Sequence, residues 1–419
     1  MRKMKDSGVA WLESIPETWN LLQLGSLFLE HKHKNVGMQS SNLLSLSYGK
    51  IIQKNINATD GLLPESFEGY NVIDAGDIVL RLTDLQNDQR SLRVGLCGES
   101  SGIITSAYTT LRRRNDALNS KYFYYLLHSY DIRKGFYGMG AGVRQGLNYA
   151  GVRKIMLTVP PESEQTAIAE CLDRKTAQVD ALISNVQAQI EKLKAYKQSL
   201  ITEVVTKGLD PNVPMKDSGV EWIGEIPEDW EVVKTGRLFK ENNRSPIGND
   251  IPLSLSQADG LVATDDMKES ALKTSSYDNW KRVEIGDLVL NRFKAHLGVL
   301  FAANLTGIVS FHYGVYEAKR SLVPKFYEYL YHSNQYKAIL GNASNGMVVG
   351  LQNLSNLGFY STYSLYPPYA EQEKLVSHLD KKCSEIDELI TVKQAKIEKL
   401  EQYKRSLIYE YVTGKKEVS

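Results

Sequence analysis

The chain of 419 residues is written twice, and that duplication limits its architecture more than any other feature. The stretch Met4-Lys5-Asp6-Ser7-Gly8-Val9 … Trp11 … Ile15-Pro16-Glu17 … Trp19 recurs at 215–230, with 11 of 16 positions identical. Residues 160–206 and 367–413 align without a gap, with 24 of 47 identical. The paired blocks enclose two middles of similar length, 20–159 and 231–366, that match only in patches. A duplication that holds its frame while its interiors diverge implies two units doing one job on two different targets, within a pseudo-two-fold molecule.

With 42% hydrophobic and 24% charged residues, the chain is of ordinary globular composition and has room for two or more cored domains. No apolar run approaches the roughly 18 residues of a membrane span. The opening Met1-Arg2-Lys3-Met4-Lys5-Asp6 lacks the apolar core of a signal peptide, so a cytoplasmic protein without a membrane partner is expected. Cys97, Cys171 and Cys383 are odd in number and lack metal-ligand spacing, which predicts reduced thiols and no metal. The net charge of +1 hides an uneven distribution. Segment 20–159 has 16 basic against 11 acidic residues, a net +5; segment 231–366 has 14 against 12, a net +2; the connector 159–230 has 7 against 13, a net −6. Positive charge lies in the divergent middles, where a DNA backbone could be met.

The repeated blocks at 160–206 and 367–413 have helical period. Leu172, Val179, Val186, Leu193 and Leu200 recur every seven residues, and Leu182, Ile183 and Ile190 widen the stripe. The second copy offers Leu379, Ile386, Leu400 and Leu407 with Ile390 and Ile397, interrupted by Lys393. Pro160-Pro161 and Pro367-Pro368 stand before the helices, and Gly208, Pro211 and Pro214 stop the first. Two rods of roughly 65 Å would most economically pack antiparallel as a fixed spacer; the alternative is two amphipathic helices lying on separate domains.

The middles read as mixed α/β. Gly76-Asp77-Ile78-Val79-Leu80 and Gly286-Asp287-Leu288-Val289-Leu290 each feed a buried strand, and past it the copies part: Arg81-Leu82-Thr83-Asp84 against Asn291-Arg292-Phe293-Lys294. Unlike polar side chains on a shared strand suit two base-reading loops, since Arg bonds guanine bidentately and Asn adenine; ordinary drift of a surface loop is the alternative. Residues 121–129 and 325–333 form a matching short helix, opened by Asn119-Ser120 and by Pro324, whose aromatics suit core packing better than base stacking. His128 and His332 recur at its end and need only a backbone carbonyl.

The Gly-rich stretch 138–146 follows Asp131-Ile132-Arg133-Lys134 rather than an apolar strand, and therefore reads as a loop with Arg144 and Gln145 at its tip, not as a dinucleotide site. In the other copy Val348 and Val349 hold those places. Tyr366-Pro367-Pro368-Tyr369 lacks the acid or amide of an adenine methyltransferase motif, and its duplicate reads Val159-Pro160-Pro161-Glu162. Asp265-Asp266-Met267-Lys268 has no acidic partner strand of nuclease type, and no P-loop occurs. No catalytic residue is predicted.

The Lys-Asp-Ser-Gly-Val-x-Trp … Ile-Pro-Glu-x-Trp openings resemble those of type I restriction-modification specificity (S) subunits. So do the Gly-Asp-Ile/Leu-Val-Leu strands and the Pro-Pro-x-x-Glu-Gln starts of the long helices, in the same order, twice over. The resemblance implies a non-catalytic DNA-reading subunit with an α/β (α+β) fold: two target recognition domains separated by two long antiparallel coiled-coil helices. The boundaries fall at 1–159, 160–208, 209–366 and 367–419. It implies a bipartite asymmetric target on double-stranded DNA, two methyltransferase (M) subunits and two motor-nuclease (R) subunits. S-adenosylmethionine, ATP and Mg are expected on those partners and no cofactor on this chain. Candidate DNA contacts are Ser47, Tyr48, Lys50, Arg81, Thr83, Arg90, Tyr108, Arg144 and Gln145 in the first middle. In the second they are Ser256, Gln257, Asn291, Arg292, Lys294, Tyr313 and Gln352. An autonomous methyltransferase and a pure scaffold are the competing classes.

Overall fold

Ile78-Val79-Leu80 is buried along its whole length because both faces of that strand are covered. Ile78 and Leu80 point into the main core with Leu126 and Leu127 of the helix Ser120–Ile132. Val79 points the other way, into a second cluster with Leu44, Leu46 and Ile104. Such continuous apolar runs mark central strands. The strand sits inside a four-stranded antiparallel sheet ordered Phe28–Glu30, Thr109–Arg113, Ile78–Leu80, Val94–Leu96. The computed structural model describes residues 2–57, 64, 66–88, 91–98, 100–139, 146–257, 259–267, 277, 279–344 and 353–418.

The second copy repeats this arrangement ladder for ladder. Its sheet is ordered Phe239–Glu241, Tyr313–Ala318, Leu288–Asn291, Leu300–Ala302, with Leu288 and Leu290 in one cluster and Val289 in another. The opening motif folds as the hairpin Met4–Asp6 with Ser14–Pro16, and again as Met215–Asp217 with Glu225–Pro227. Among the described residues, two further hairpins match: Leu44–Ser47 with Lys50–Gln53, and Leu253–Ser256 with Gly260–Ala263. The short helix is capped by Asn119, which accepts from the Lys121 and Tyr122 amides, and in the other copy starts at Pro324. Tyr122, Phe123, Phe326, Tyr327 and Tyr331 are fully buried, so its aromatics are core.

Both repeated blocks are single helices, Glu162–Lys207 and Tyr369–Val412. The chain divides into two compact units, residues 1–186 with 395–419 and residues 187–394. This division cuts through both helices, where the sequence places boundaries at their ends. In the first unit Leu172 packs with Leu407 and Ile408, and Asp180 pairs with Lys404 at 2.6 Å, an antiparallel register. In the second unit Ile201 and Val205 pack with Leu375 and Leu379, and Lys197 pairs with Asp387 at 2.6 Å. Val179, Val186, Ile190 and Ile386 are buried, whereas Ile183, Leu193, Leu200, Ile390, Ile397 and Leu400 are half-buried. Lys393 is accommodated at its seam position by donating to Gln189 at 2.6 Å. Leu182 is not in the seam: the stripe narrows to 179, 183, 186 and 190, the alternating four-and-three spacing of a helix pair, and leaves Leu182 half exposed on the flank.

Candidate nucleic-acid interface

The two copies differ just past the central strand. In the first, Arg81 N donates to Arg93 O at 2.9 Å and the chain between them forms a long connection; in the second, Asn291 N donates to Val299 O at 2.9 Å across a shorter one. Leu82 and Leu85 anchor the first connection in the core, Asp84 takes a left-handed φ of 56°, and Thr83, Gln86 and Asn87 are exposed. Arg81 is a third exposed and pairs with Asp88 at 3.3 Å.

The second connection is a turn of 3-10 helix, Arg292–Leu297. Asn291 caps it: the nearly buried side chain accepts from the Phe293 and Lys294 amides at 3.1 and 3.2 Å. A bidentate contact with adenine needs that same amide oxygen, so in this conformation Asn291 is a cap rather than a base reader. Arg292 is also engaged internally, donating to Glu241 at 2.6 Å and to Asn356 at 2.9 Å. Burial works against the Glu241 carboxylate, yet the bonds from Lys281 and Asn356 and the charge of Arg292 hold its pKa below the ordinary range. Lys294 stays exposed.

The remaining candidates fall into three groups. Tyr48 and Lys50 are exposed at the turn of the hairpin 44–53, with Ser47 half-buried beside them. Gln257 is exposed at the matching turn, while Ser256 is half-buried and bonds Asp259 at 3.1 Å. Tyr108 and Tyr313 are half-buried against the second cluster of each unit. Arg90, Arg144, Gln145 and Gln352 lie outside the described residues.

Several of these elements converge. Gly49, at φ +77°, lies so close to Leu92 that a Cβ on it would sit 3.1 Å from the Leu92 Cβ, which brings the hairpin turn of Tyr48 against the connection after Arg81. Leu147 N donates to Leu82 O at 2.9 Å, and Leu354 N donates to Arg292 O at 3.0 Å. In both units a leucine beyond the Gly-rich stretch or its counterpart is therefore bonded to the connection past the central strand. The sequence reading missed Arg93, Glu241 and Asn356, which tie these segments together. None lies in a motif, and the partners of Glu241 and Asn356 are distant in sequence.

The Pro-Pro-x-x-Glu-Gln repeat has a structural task. Glu164 accepts from the Trp19 indole at 2.9 Å and Glu371 from Trp230 at 2.9 Å. Gln165 donates to Pro160 O at 2.9 Å and accepts from Asn119 N at 2.9 Å; Gln372 donates to Pro367 O at 2.8 Å and accepts from Val323 N at 2.8 Å. Tyr366-Pro367-Pro368-Tyr369 is thus a helix start. Among the described residues, His31, Asp74 and Asp77 bring three possible metal ligands within 4.8 Å. Arg112 bonds both carboxylates at 2.6 Å, and its guanidinium takes the place a cation would need. The three cysteines are free and buried. No helix among the described residues is long and apolar enough to cross a membrane.

The repeat also leaves matched apolar side chains exposed. Leu182 and Leu389 are each 50% exposed, and Tyr196 and Tyr403 are 57% and 52% exposed. Each unit carries one Leu and one Tyr: Leu182 with Tyr403 in the first, beside the Asp180–Lys404 pair, and Leu389 with Tyr196 in the second, beside Asp387–Lys197.

No protein-family model matches the chain. The type I restriction enzyme MjaVIII specificity subunit of Methanocaldococcus jannaschii is 24% identical over 422 residues, covering 96% of this chain and 93% of that protein. The MjaX specificity subunit of the same organism is 24% identical over 429 residues, covering 96% and 94%. In fold, the chain matches one from a structural study of complex assembly and conformational transition of the type I restriction-modification system, with a TM-score of 0.68 over 95% of this chain and 98% of that one, at 15% identity. It also matches the HsdS subunit of Thermoanaerobacter tengcongensis, with a TM-score of 0.51 over 96% and 98%, at 15% identity. In its duplicated frame, its paired helix starts and its length, the chain is similar from end to end to type I restriction-modification specificity subunits.

Proposed function

We propose that this chain is the DNA-reading subunit of a type I restriction-modification complex, with each unit reading one half of a bipartite, asymmetric target on double-stranded DNA. The carrying observation is the similarity to specificity subunits along nearly the whole chain. The duplicated frame supports it, because the copies agree in the hairpin, sheet and helix starts and differ at the ends of the central strands. The chain performs no chemistry itself. Two methyltransferase subunits supply S-adenosylmethionine and adenine methylation, and two motor-nuclease subunits supply ATP- and Mg-dependent translocation and cleavage, in the cytoplasm.

The exposed Leu–Tyr pairs on the long helices suit docking of the methyltransferase subunits, because two equal partners need two equal surfaces and these side chains are identical in both copies. The test is to exchange residues 20–159 for the matching region of a relative and to sequence the methylome of cells expressing the chimera with its methyltransferase partner. One half-site should change and the other persist. A change in both, or in neither, overturns the reading.

A further inference from the structure

Arg93 is fully buried, and all five of its guanidinium N–H groups have acceptors. Nη1 donates to Arg81 O at 3.1 Å and to Thr83 O at 2.8 Å; Nη2 donates to Asp84 O at 3.2 Å and to Asp88 O. Nε donates to the Tyr137 hydroxyl at 3.0 Å. Four carbonyls from one short segment therefore converge on a single side chain. A planar cation with five fixed donors suits such a cluster, and a lysine with three donors could not span it. The fifth bond reaches Tyr137, which precedes the Gly-rich stretch, while Leu147 beyond that stretch bonds Leu82. The cation stands near one buried carboxylate, Asp131, whose Oδ2 accepts from Arg93 N at 2.6 Å.

The second unit meets the same demand with opposite charge. Val299 replaces Arg93 at the base of the connection, and the centre is Glu241 on the sheet's edge strand. Its carboxylate accepts from Arg292 at 2.6 Å, from Lys281 at 2.8 Å and from Asn356. Arg292 and Asn356 belong to the two segments that the Leu354–Arg292 bond also joins. What is common to the units is a buried or nearly buried charge that binds the connection past the central strand to a segment flanking the Gly-rich stretch or its counterpart, Tyr137 before it in the first unit and Asn356 after it in the second. The chemistry of that centre is not shared.

We infer that Arg93 and Glu241 are positioning residues for target reading, each fixing the post-strand connection of its own unit in the shape that presents side chains to the DNA groove. In the first unit the side chains so presented are Thr83, Gln86 and Asn87, which are exposed along the segment whose carbonyls Arg93 gathers. A pre-shaped loop loses little conformational entropy on binding, so discrimination between bases rests on the buried charge beneath it. The inference rests on the proposed DNA-reading role and assigns each charge to one half-site.

The test uses the full chain and selection of bound duplexes from a library randomised at both half-sites. Arg93→Met should lower base preference in one half-site roughly tenfold and leave the other within about twofold; Glu241→Ala should do the reverse. General destabilisation would weaken all binding without this reciprocal pattern. Should Arg93→Met fail to fold, the surface variant Gln86→Ala/Asn87→Ala, which removes no buried group, must reduce preference in the same single half-site. Unchanged preference in that variant, or loss in both half-sites from either single substitution, overturns the inference. A wild-type chain without base preference in either half-site overturns the DNA-reading role itself, a result distinct from both.

Discussion

The indole of Trp19 donates to Glu164 at 2.9 Å across a separation of 145 residues, and Trp230 donates to Glu371 at the same distance. Both tryptophans are fully buried, so these bonds tie the opening hairpin of each copy to the first turn of a long helix. Glu164→Ala leaves a buried indole N–H without an acceptor. The expected loss is roughly 1–3 kcal/mol in urea unfolding, with a similar loss for Glu371→Ala.

Gly414 ends the second long helix at φ +71°, and a Cβ there would overlap Pro16 and lie 3.0 Å from Trp19. Gly208 ends the first at φ +78°, where a Cβ would lie 3.2 Å from Glu371 Oε1. Alanine at either strains the left-handed backbone, at about 1 kcal/mol. Gly414→Ala adds a clash with a rigid ring, so its melting temperature should fall well below that of Gly208→Ala.

Burial holds the His332 pKa down to about 4, against the pull of the Leu300 carbonyl 2.8 Å away. The unfolded chain takes up a proton near pH 6.5, whereas the folded chain resists until about pH 4. Stability from this site is therefore lost as pH falls through that window. Burial raises the pKa of nearby Glu328, which acts in the opposite sense and is common to wild type and variant. The stability gap between wild type and His332→Gln should narrow by about 2 kcal/mol from pH 7 to pH 4.5 in urea titrations.

Arg81 and Arg292 should behave differently although both follow the central strand. Arg81→Ala should cost roughly 1–3 kcal/mol of specific DNA binding with little change in stability, because its ion pair with Asp88 is partly exposed. Arg292→Ala removes a donor from Glu241 and should lower stability first. Equal losses for Arg81→Ala on specific and random duplexes would assign it to phosphate.

Glutamate at both Leu182 and Tyr403 places charge on the flank of the first unit's helix pair without touching its seam. If this flank receives a methyltransferase subunit, native mass spectrometry should show one bound subunit in place of two. A full complement would remove these residues from the docking surface.

The frame was legible in the sequence because it is local or periodic. Helix ends follow from Pro160-Pro161, Pro367-Pro368 and Gly208, the seam from seven-residue spacing, and the central strands from three successive apolar residues with both faces covered. The candidate interface was legible only in outline. Asn291 looks like an adenine reader until its cap bonds are seen, and Glu241 gathers Lys281, Arg292 and Asn356 from positions 40, 51 and 115 residues away, where no sequence spacing points to them. Leu182 belongs to an apolar period and is exposed only because the helix pair uses a narrower stripe than its pattern allows.

That each unit takes one half of each long helix has a consequence for synthesis on the ribosome. The second unit is one continuous stretch, 187–394, and can close its core once that stretch has emerged. The first cannot, because Leu407, Ile408, Tyr411 and Val412, which emerge only after the whole of the second unit, complete a core begun with Trp19 and Leu24. The half made first is therefore closed after the other, and a nascent chain interrupted past residue 394 would hold one closed unit and one still open.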